Sequence, residues 1–202
     1  MPHLLDNVAL WNVFRKLLDL FFGMYRNSQA IMRQFGIGPS FSILDIGCGT
    51  GQYSQFTTAD YLGLDLDCRY IAFAQRKFGT DRKRFLCQDL ATVDFTGRTF
   101  DVVLLVNLLH HVDDAGVRQM LEILSRVTTK YLVAFDPVMQ SRGNYLGRFL
   151  TTHDRGRHIR SVAAEQQLID EFFTIERTVP VKIFFTEGVA FFARARPAAP
   201  AR

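Results

Sequence analysis

Ile43-Leu44-Asp45-Ile46-Gly47-Cys48-Gly49-Thr50-Gly51 is the stretch from which the architecture of this 202-residue chain can be worked out. Its apolar start predicts a buried strand that breaks into a glycine-rich turn, with a helix from about Gly51. Glycines in the turn let the backbone approach a ligand closely, and the N-terminus of the helix offers free N–H groups. The carboxylate of Asp45 would repel a phosphate group but attract an ammonium or sulfonium group. The turn therefore predicts a site for a ligand that carries positive charge.

The length and composition fit one globular domain. Hydrophobic residues make up 48% of the sequence and charged residues 22%, which is ordinary for such a domain. The net charge is only +4 and no nucleic-acid-binding motif occurs, so no nucleic acid is expected as a partner. Cys48, Cys68 and Cys87 form neither a disulfide framework nor a metal-ligand pattern. We therefore expect free thiols, no metal and a cytoplasmic location.

Residues 1–40 are predicted to form a helical lid that packs on the core. Apolar residues recur at helical spacing between Leu4 and Tyr25, and Asp6, Arg15, Lys16 and Asp19 interrupt the run. The run therefore predicts neither a membrane span nor a signal peptide. A dimer contact and a helix that lies on a membrane surface are open alternatives, so peripheral membrane contact stays possible. The sequence is compatible with a monomer or a homodimer.

Strand and helix patterns alternate over residues 41–195, which we expect to form the main domain. The expected strands are Ser42–Ile46, Tyr61–Asp65, Arg84–Cys87, Phe100–Val106, Tyr131–Phe135, Phe173–Arg177 and Val189–Ala195. After the helix at Gly51, the expected helices are Cys68–Phe78, Ala115–Val127 and Val162–Phe172. This alternation predicts an α/β fold with a mostly parallel sheet, helices on both faces and an antiparallel C-terminal hairpin. Residues 196–202 are expected to be a disordered tail.

Carboxylates follow four of the first five predicted strands, as Asp45, Asp65, Asp89 and Asp136. Ligands of open α/β sheets bind outside the carboxyl ends of the strands, so these side chains are expected near one site. Asp65 is placed to accept hydrogen bonds from both hydroxyls of a ribose, and Asp89 to meet an adenine amino group. For each carboxylate alone, a helix N-cap or a turn is the alternative role.

Four segments resemble, in order and spacing, the class I S-adenosylmethionine-dependent methyltransferases. They are Ile43–Gly51, Tyr61–Asp67, Phe85–Leu90 and Phe100–Asp114. The nearest likeness is to the small-molecule group that resembles the enzymes of ubiquinone and menaquinone biosynthesis. The resemblance implies a Rossmann-like seven-stranded sheet, S-adenosylmethionine as the cofactor and S-adenosylhomocysteine as the product.

The resemblance also implies roles for individual residues. The glycine turn and Asp45 would hold the methionine part of the cofactor, Asp65 the ribose, and Asp89 with its apolar neighbours the adenine. Asn107 would close the pocket beside the sulfonium. The complete implied set of cofactor-binding residues is Tyr25, Arg26, Asp45, Gly47, Cys48, Gly49, Gly51, Asp65, Leu66, Asp89, Leu90 and Asn107.

Three histidines are candidates for a general base. A base is needed only where the acceptor must lose a proton, and His110, His111 and His153 titrate in the required range. We favour His111, and a packing role at the start of a helix is the alternative for the adjacent pair.

The segment between residues 142 and 160 is rich in basic residues. Arginine side chains suit phosphate or carboxylate groups, so Arg155, Arg157 and His158 are candidates for binding an anionic acceptor, including a lipid- or sugar-linked one. A solvated basic loop is the alternative.

The predicted function is methyl transfer from S-adenosylmethionine to a small-molecule acceptor, by in-line displacement at the sulfonium methyl. A catalytically silent protein that binds the cofactor and acts as a scaffold for a partner enzyme is the alternative. A nicotinamide-dependent oxidoreductase is disfavoured because its Gly-x-Gly-x-x-Gly pattern needs a glycine where this chain has Gln52.

Overall fold

The structure is a computed structural model that describes residues 24–153, 156–183 and 185–196. Their backbone forms one seven-stranded sheet with flanking helices. The strands are β1 Ile43–Ile46, β2 Tyr61–Asp65, β3 Lys83–Cys87, β4 Phe100–Val106, β5 Thr128–Pro137, β6 Phe173–Ile183 and β7 Thr186–Ala195. The helices are α1 Met24–Gln34, α2 Cys68–Phe78, α3 Asp114–Val127, α4 Tyr145–Thr152 and α5 Val162–Asp170.

The strands follow the order β3-β2-β1-β4-β5-β7-β6. Strands β1 to β5 run parallel, and β7 pairs antiparallel with both β5 and β6. This arrangement confirms the predicted fold class. The strand order reverses between β1 and β4, where Ile43 pairs with Val102. In open sheets of this kind a ligand site is expected at that switch point.

Apolar residues on both faces of the sheet explain why the central strands read as continuous hydrophobic runs. In β4, Val103 and Leu105 pack into one buried cluster, while Val102 and Leu104 pack into a second cluster. The first cluster includes residues of α3 and α5, and the second includes residues of α1 and α2. A parallel sheet needs this cover because side chains alternate between its two faces.

Several element boundaries differ from the sequence prediction. The expected helix at Gly51 is a short 3-10 turn over Gln52–Gln55, and α4 was not expected at all. The C-terminal strands β6 and β7 extend several residues further towards their connecting turn than predicted. Cross-strand pairing, which local sequence does not encode, extends these strands.

The predicted helical lid is only partly described. Residues 1–23, which carry most of it, lie outside the described residues, as do residues 197–202 of the predicted tail. Helix α1 belongs to the lid region and contributes Met32, which is fully buried in the second cluster. The domain division at residue 40 and the role of the lid therefore stay predictions. None of the described helices is long and apolar enough to span a membrane.

The expectation of free thiols is wrong for two of the three cysteines. Cys68 and Cys87 form a disulfide, with their Cα atoms 5.0 Å apart, whereas Cys48 is free and buried. Strand pairing explains the difference, because Asp65 lies opposite Cys87 and α2 begins with Cys68 soon after β2. The two cysteines are 19 residues apart in sequence, so their spacing alone did not indicate the contact. The cytoplasmic location stays a prediction.

Replacing Gly51 by alanine is expected to destabilise the fold by about 2–4 kcal/mol. Gly51 has a φ of 75°, and a Cβ there would lie 2.6 Å from Phe85 Cε1 and 2.9 Å from Ala74 Cβ. Gly97→Ala is the matched control, because Gly97 has a φ of 69° but no atom within 4 Å of its Cβ position. It should cost only the backbone strain, about 1 kcal/mol. Urea unfolding measures both, and equal losses would contradict the packing argument.

Candidate functional site

A cavity of about 860 Å³ opens at the carboxyl ends of the parallel strands. Residues from the ends of β1 to β5, from β6, and from helices α1 and α3 line it. Its volume lies within the range of small-molecule and cofactor sites, roughly 300–1,000 Å³. The cavity spans the switch point between β1 and β4, so it extends over both halves of the sheet.

The glycine turn after β1 forms the floor of this cavity. The backbone N–H groups of Gly47 and Cys48 both donate to Leu64 O, at 2.8 and 3.0 Å. Gly47 and Gly49 have φ values of 69° and 53°, a region that residues with a Cβ rarely adopt. Gly51 does not line the cavity, because it packs against Phe85 beneath the turn. The turn thus meets the cavity at Gly47, Cys48 and Gly49.

Asp65 is fixed by two backbone hydrogen bonds at the end of β2. Its Oδ2 accepts from Gly49 N and its Oδ1 from Asp67 N, both at 2.8 Å. Each carboxylate oxygen has further lone pairs, so the group can still accept hydrogen bonds from a ligand in the cavity. The side chain is half-buried and lines the cavity. This geometry suits a pair of adjacent hydroxyl groups.

Asp45 brings a negative charge to a buried part of the same wall. Its Oδ2 accepts a 2.6 Å hydrogen bond from Tyr61 Oη, and both residues are buried. Burial, followed by the charge of Asp45, raises the pKa of the Tyr61 phenol well above its usual value. Tyr61 therefore stays a hydrogen-bond donor, and Asp45 carries the charge that a cationic ligand would meet.

Asp89 and two leucines line the opposite end of the cavity. Asp89 Oδ1 accepts from Ala91 N at 2.9 Å and so caps a 3-10 turn at Leu90–Thr92, the alternative role weighed from the sequence. Leu90 is buried and Leu66 is largely exposed, and both line the cavity. They supply flat apolar surface beside a carboxylate, as an aromatic base requires.

Residues from α1 and β4 complete the predicted cofactor set. The Tyr25 hydroxyl donates to Gln52 O, its ring packs on Tyr53, and it lines the cavity. Arg26 is exposed and does not line the cavity. Asn107 lines it with a φ of 52°, while its N–H donates to Phe135 O at 2.7 Å. Asn tolerates this left-handed conformation better than most residues.

The two adjacent histidines occupy different environments. His111 lines the cavity, whereas His110 is buried and does not. His110 Nδ1 lies 3.0 Å from Asp136 Oδ1, and its backbone N–H donates to Asp136 Oδ2 at 2.8 Å. The two imidazole rings are in contact, with centroids 4.1 Å apart. His110 thus does not reach the cavity, and of this pair only His111 does.

The remaining predicted acceptor residues lie away from the cavity. His153, Arg157 and His158 are exposed and do not line it, and Arg155 lies outside the described residues. His153 Nδ1 is 2.8 Å from Phe149 O on its own helix. We therefore leave His153 out of the catalytic proposal. Among the described residues, the basic segment does not form an acceptor site at the cavity.

Part of this basic segment supports the His110–His111 turn instead. The guanidinium of Arg160 donates to Leu109 O at 2.8 Å and to Val112 O at 2.6 Å, and it pairs with Asp114. Gly156 packs so tightly on the His110 ring that a Cβ would collide with it. The segment therefore braces the turn that carries His111.

Glu165 of α5 is buried beside this group, and its Oε1 has no hydrogen-bond partner among the described residues. Burial, followed by the charge of Asp136, raises the pKa of Glu165 from 4.5 to about 8. Arg160 and His110 oppose this shift only in part. Glu165 is therefore protonated at neutral pH.

Sequence reasoning missed several lining residues. They include Asn27, Ser28, Ile31, Tyr53, Tyr70, Gln119, Met120, Ile123, Phe135, Val181 and Lys182. Most lie in helices or strands whose ordinary amphipathic pattern gives no functional signal. Lys182 was not predicted, and its one signal is that it is a cation in an otherwise apolar segment of β6.

Residues 43–130 match the family model described as a methyltransferase domain. This match supports the predicted enzyme class for that part of the chain. The chain is also 28% identical over 90 residues to an uncharacterised protein of Methanocaldococcus jannaschii. That alignment covers 45% of this chain and 38% of the length of the relative.

Two solved structures share the fold. The magnesium protoporphyrin IX methyltransferase of Synechocystis, with bound S-adenosylhomocysteine, is 21% identical with a TM-score of 0.65, over 85% of this chain and 81% of that one. The N-methyltransferase NodS of Bradyrhizobium japonicum, in complex with S-adenosylhomocysteine, is 15% identical with a TM-score of 0.65, over 86% and 87%. The likeness to ubiquinone and menaquinone enzymes stays a prediction.

The wild-type protein is expected to lose stability as the pH rises from 4.5 to about 8, and Glu165→Gln is expected to remove this loss. An unfolded Glu ionises near pH 4.5, whereas folded Glu165 holds its proton up to about pH 8. The unfolded state thus binds fewer protons in this window, and the wild-type protein should lose about 1.4 kcal/mol per pH unit relative to the variant.

Urea unfolding at several pH values between these limits measures the difference. Glu122→Gln is the control, since Glu122 is exposed and, among the described residues, forms a salt bridge with Arg126 alone. It should leave the pH dependence of the wild-type protein unchanged. Parallel curves for wild type and Glu165→Gln would contradict the assignment.

Proposed function

We propose that this chain transfers a methyl group from S-adenosylmethionine to a small molecule that has an apolar body and an acidic group. The observation that supports this proposal most directly is the position of the Asp65 carboxylate. It lines the cavity and is oriented there by hydrogen bonds from the backbone N–H groups of Gly49 and Asp67. The methyltransferase domain match over residues 43–130 supports the reaction class.

The residues of one half of the cavity fit the cofactor. Asp65 suits the ribose hydroxyls, Leu66 and Leu90 suit the faces of the adenine, and Asp45 suits the cationic part of the methionine. Position 47 has no space for a side chain, because a Cβ there would already lie 3.0 Å from Leu108 Cδ1. Glycine at this position therefore keeps this part of the cavity open. When bound, S-adenosylmethionine supplies a methyl group that its sulfonium charge activates.

The other half of the cavity is available to the acceptor. Residues at the ends of β4, β5 and β6 line it, on the far side of β1 from β2 and β3. Their side chains are mainly apolar, as at Val106, Phe135 and Val181. Lys182 is the one lysine or arginine among the described lining residues. This combination suits an apolar acceptor whose acidic group contacts Lys182.

His111 is the proposed catalytic residue in this arrangement. It lies in the cavity wall and its ring packs on that of His110. Asp136 contacts the His110 ring, and Arg160 donates to the carbonyl of Leu109 just before it. We propose that His111 accepts the proton which the acceptor loses as it attacks the methyl group. The apolar walls exclude water, and the protein otherwise acts by aligning the two reactants.

Asp65→Ala should weaken binding of S-adenosylhomocysteine at least about tenfold, because charge-assisted hydrogen bonds to the ribose are lost. Isothermal titration calorimetry measures this directly, and circular dichroism checks that the variant is folded. Asp94→Ala is the control, since Asp94 is exposed and does not line the cavity. Wild-type affinity in folded Asp65→Ala, or no binding by the wild-type protein, would overturn the cofactor assignment.

His111→Asn should reduce methyl transfer roughly a hundredfold or more while binding of S-adenosylhomocysteine changes little. The assay follows label from the methyl donor into a small-molecule extract of the native cells. His153→Asn is the matched control and should transfer normally, because His153 lies outside the cavity. Transfer by His111→Asn at the wild-type rate would exclude a base at this position. Cofactor binding without transfer to any acceptor would favour the scaffold alternative.

A further inference from the structure

Helix α4 presents apolar side chains to solvent and a glycine to the protein. Gly147 is buried, and a Cβ there would collide with the Asn144 side chain. Tyr145 and Phe149 lie on the opposite side of the helix, 79% and 59% exposed, with Leu146 between them. Surface helices of globular proteins normally turn their polar face to water. Helix α4 has the opposite orientation, with its apolar side chains turned to water.

The exposed apolar surface continues onto the turn between β6 and β7. Asn144 caps α4 by accepting from Gly147 N at 2.9 Å, and its Nδ2 donates to Phe185 O at 2.8 Å. Phe185 is half exposed beside the start of the helix. Tyr145, Leu146, Phe149 and Phe185 together are called the α4 face below.

Cations surround this face. Arg142, Arg148 and Lys182 are exposed, and none of them forms a salt bridge with a described residue. A nearby carboxylate, that of Glu187, accepts hydrogen bonds from the N–H and the hydroxyl of Ser141 at 2.9 and 2.7 Å. These bonds, followed by the charge of Lys182, lower the pKa of Glu187, so it offsets part of the positive charge. The α4 face is therefore an apolar surface with a mainly positive border.

We propose that the α4 face docks on the surface of a membrane that contains anionic lipids. Aromatic and aliphatic side chains insert at the boundary between headgroups and acyl chains, while arginine and lysine contact the anionic headgroups. A second copy of this chain fits less well, because a two-fold contact through the same face would bring the cations of both copies together.

Docking of this kind would place the cavity beside the bilayer. Lys182 lines the main cavity and also the small pocket that Asn144 and Phe185 border next to α4. An acceptor with an apolar body would then enter from the membrane, a consequence that rests on the proposed function. The docking itself does not depend on methyl transfer.

Vesicle co-sedimentation tests the docking surface. Wild-type protein should sediment with phosphatidylcholine vesicles that contain about 30% phosphatidylglycerol, and less with pure phosphatidylcholine. The double variant Tyr145→Ser/Phe149→Ser should bind the anionic vesicles about tenfold more weakly. Val162→Ser is the matched control, because Val162 is also an exposed apolar residue but lies on α5. It should bind like the wild-type protein.

A second variant separates the charged border from the apolar face. Arg142→Gln/Arg148→Gln should lower binding to anionic vesicles severalfold and leave binding to pure phosphatidylcholine unchanged. All variants should keep wild-type affinity for S-adenosylhomocysteine, which shows that the fold and the cavity are intact. Vesicle binding by a protein that fails to bind this ligand would overturn the proposed function but not the docking.

Three results would overturn the proposal. The first is no sedimentation of the wild-type protein with either vesicle. The second is undiminished binding by Tyr145→Ser/Phe149→Ser, which would assign the membrane contact to another segment such as residues 1–23. The third is a wild-type dimer that the same double variant converts to a monomer, as light scattering would show. That result would identify the α4 face as a contact between two copies.

Discussion

The path of the backbone after β1 is the constraint on which the rest of the structure depends. Two successive N–H groups, from Gly47 and Cys48, converge on the single carbonyl of Leu64, and the chain then turns through left-handed conformations at Gly49 and Gly51. Side chains are excluded on both sides of this path, by Leu108 above and by Phe85 below. The carboxylate of Asp65 is oriented by the same turn through Gly49 N. A change in this path would therefore displace the cavity floor and the carboxylate of Asp65 together.

A second group of buried, hydrogen-bonded residues lies on the other side of the switch point. Asp136 at the end of β5 binds both the ring and the backbone of His110, and Arg160 binds the carbonyl groups on either side of the two histidines. Charges this deep are stable only when they are paired or neutralised. Protonation of Glu165 meets that condition in part, because it avoids a second carboxylate charge beside Asp136. The result is a rigid support for His111 at the cavity wall.

The cavity and its surroundings divide chemically along the sheet. The half over β1 to β3 carries the carboxylates, and the half over β4 to β6 carries mainly apolar side chains together with His111 and a single lysine. The apolar character continues outward to α4, which exposes aromatic residues where a globular protein normally exposes polar ones. The half of the cavity over β4 to β6 and the adjoining surface thus share an apolar character.

Local sequence contained enough to predict the strands, their mostly parallel direction and the carboxylates at the first strand ends. Side-chain periodicity and glycine turns, on which these predictions rest, are short-range properties. It favoured His111 over His110 but gave no sign that His110 is buried, and it could not separate Arg160 from the exposed arginines near it, since burial depends on which distant segments pack together. The same limit hid the contact between Cys68 and Cys87 and the orientation of α4. Pairing of β2 with β3 brings the two cysteines together, and the segment that carries Gly156 and Arg160 packs on the two histidines. These contacts join distant parts of the sequence, so they arise only when the chain has folded.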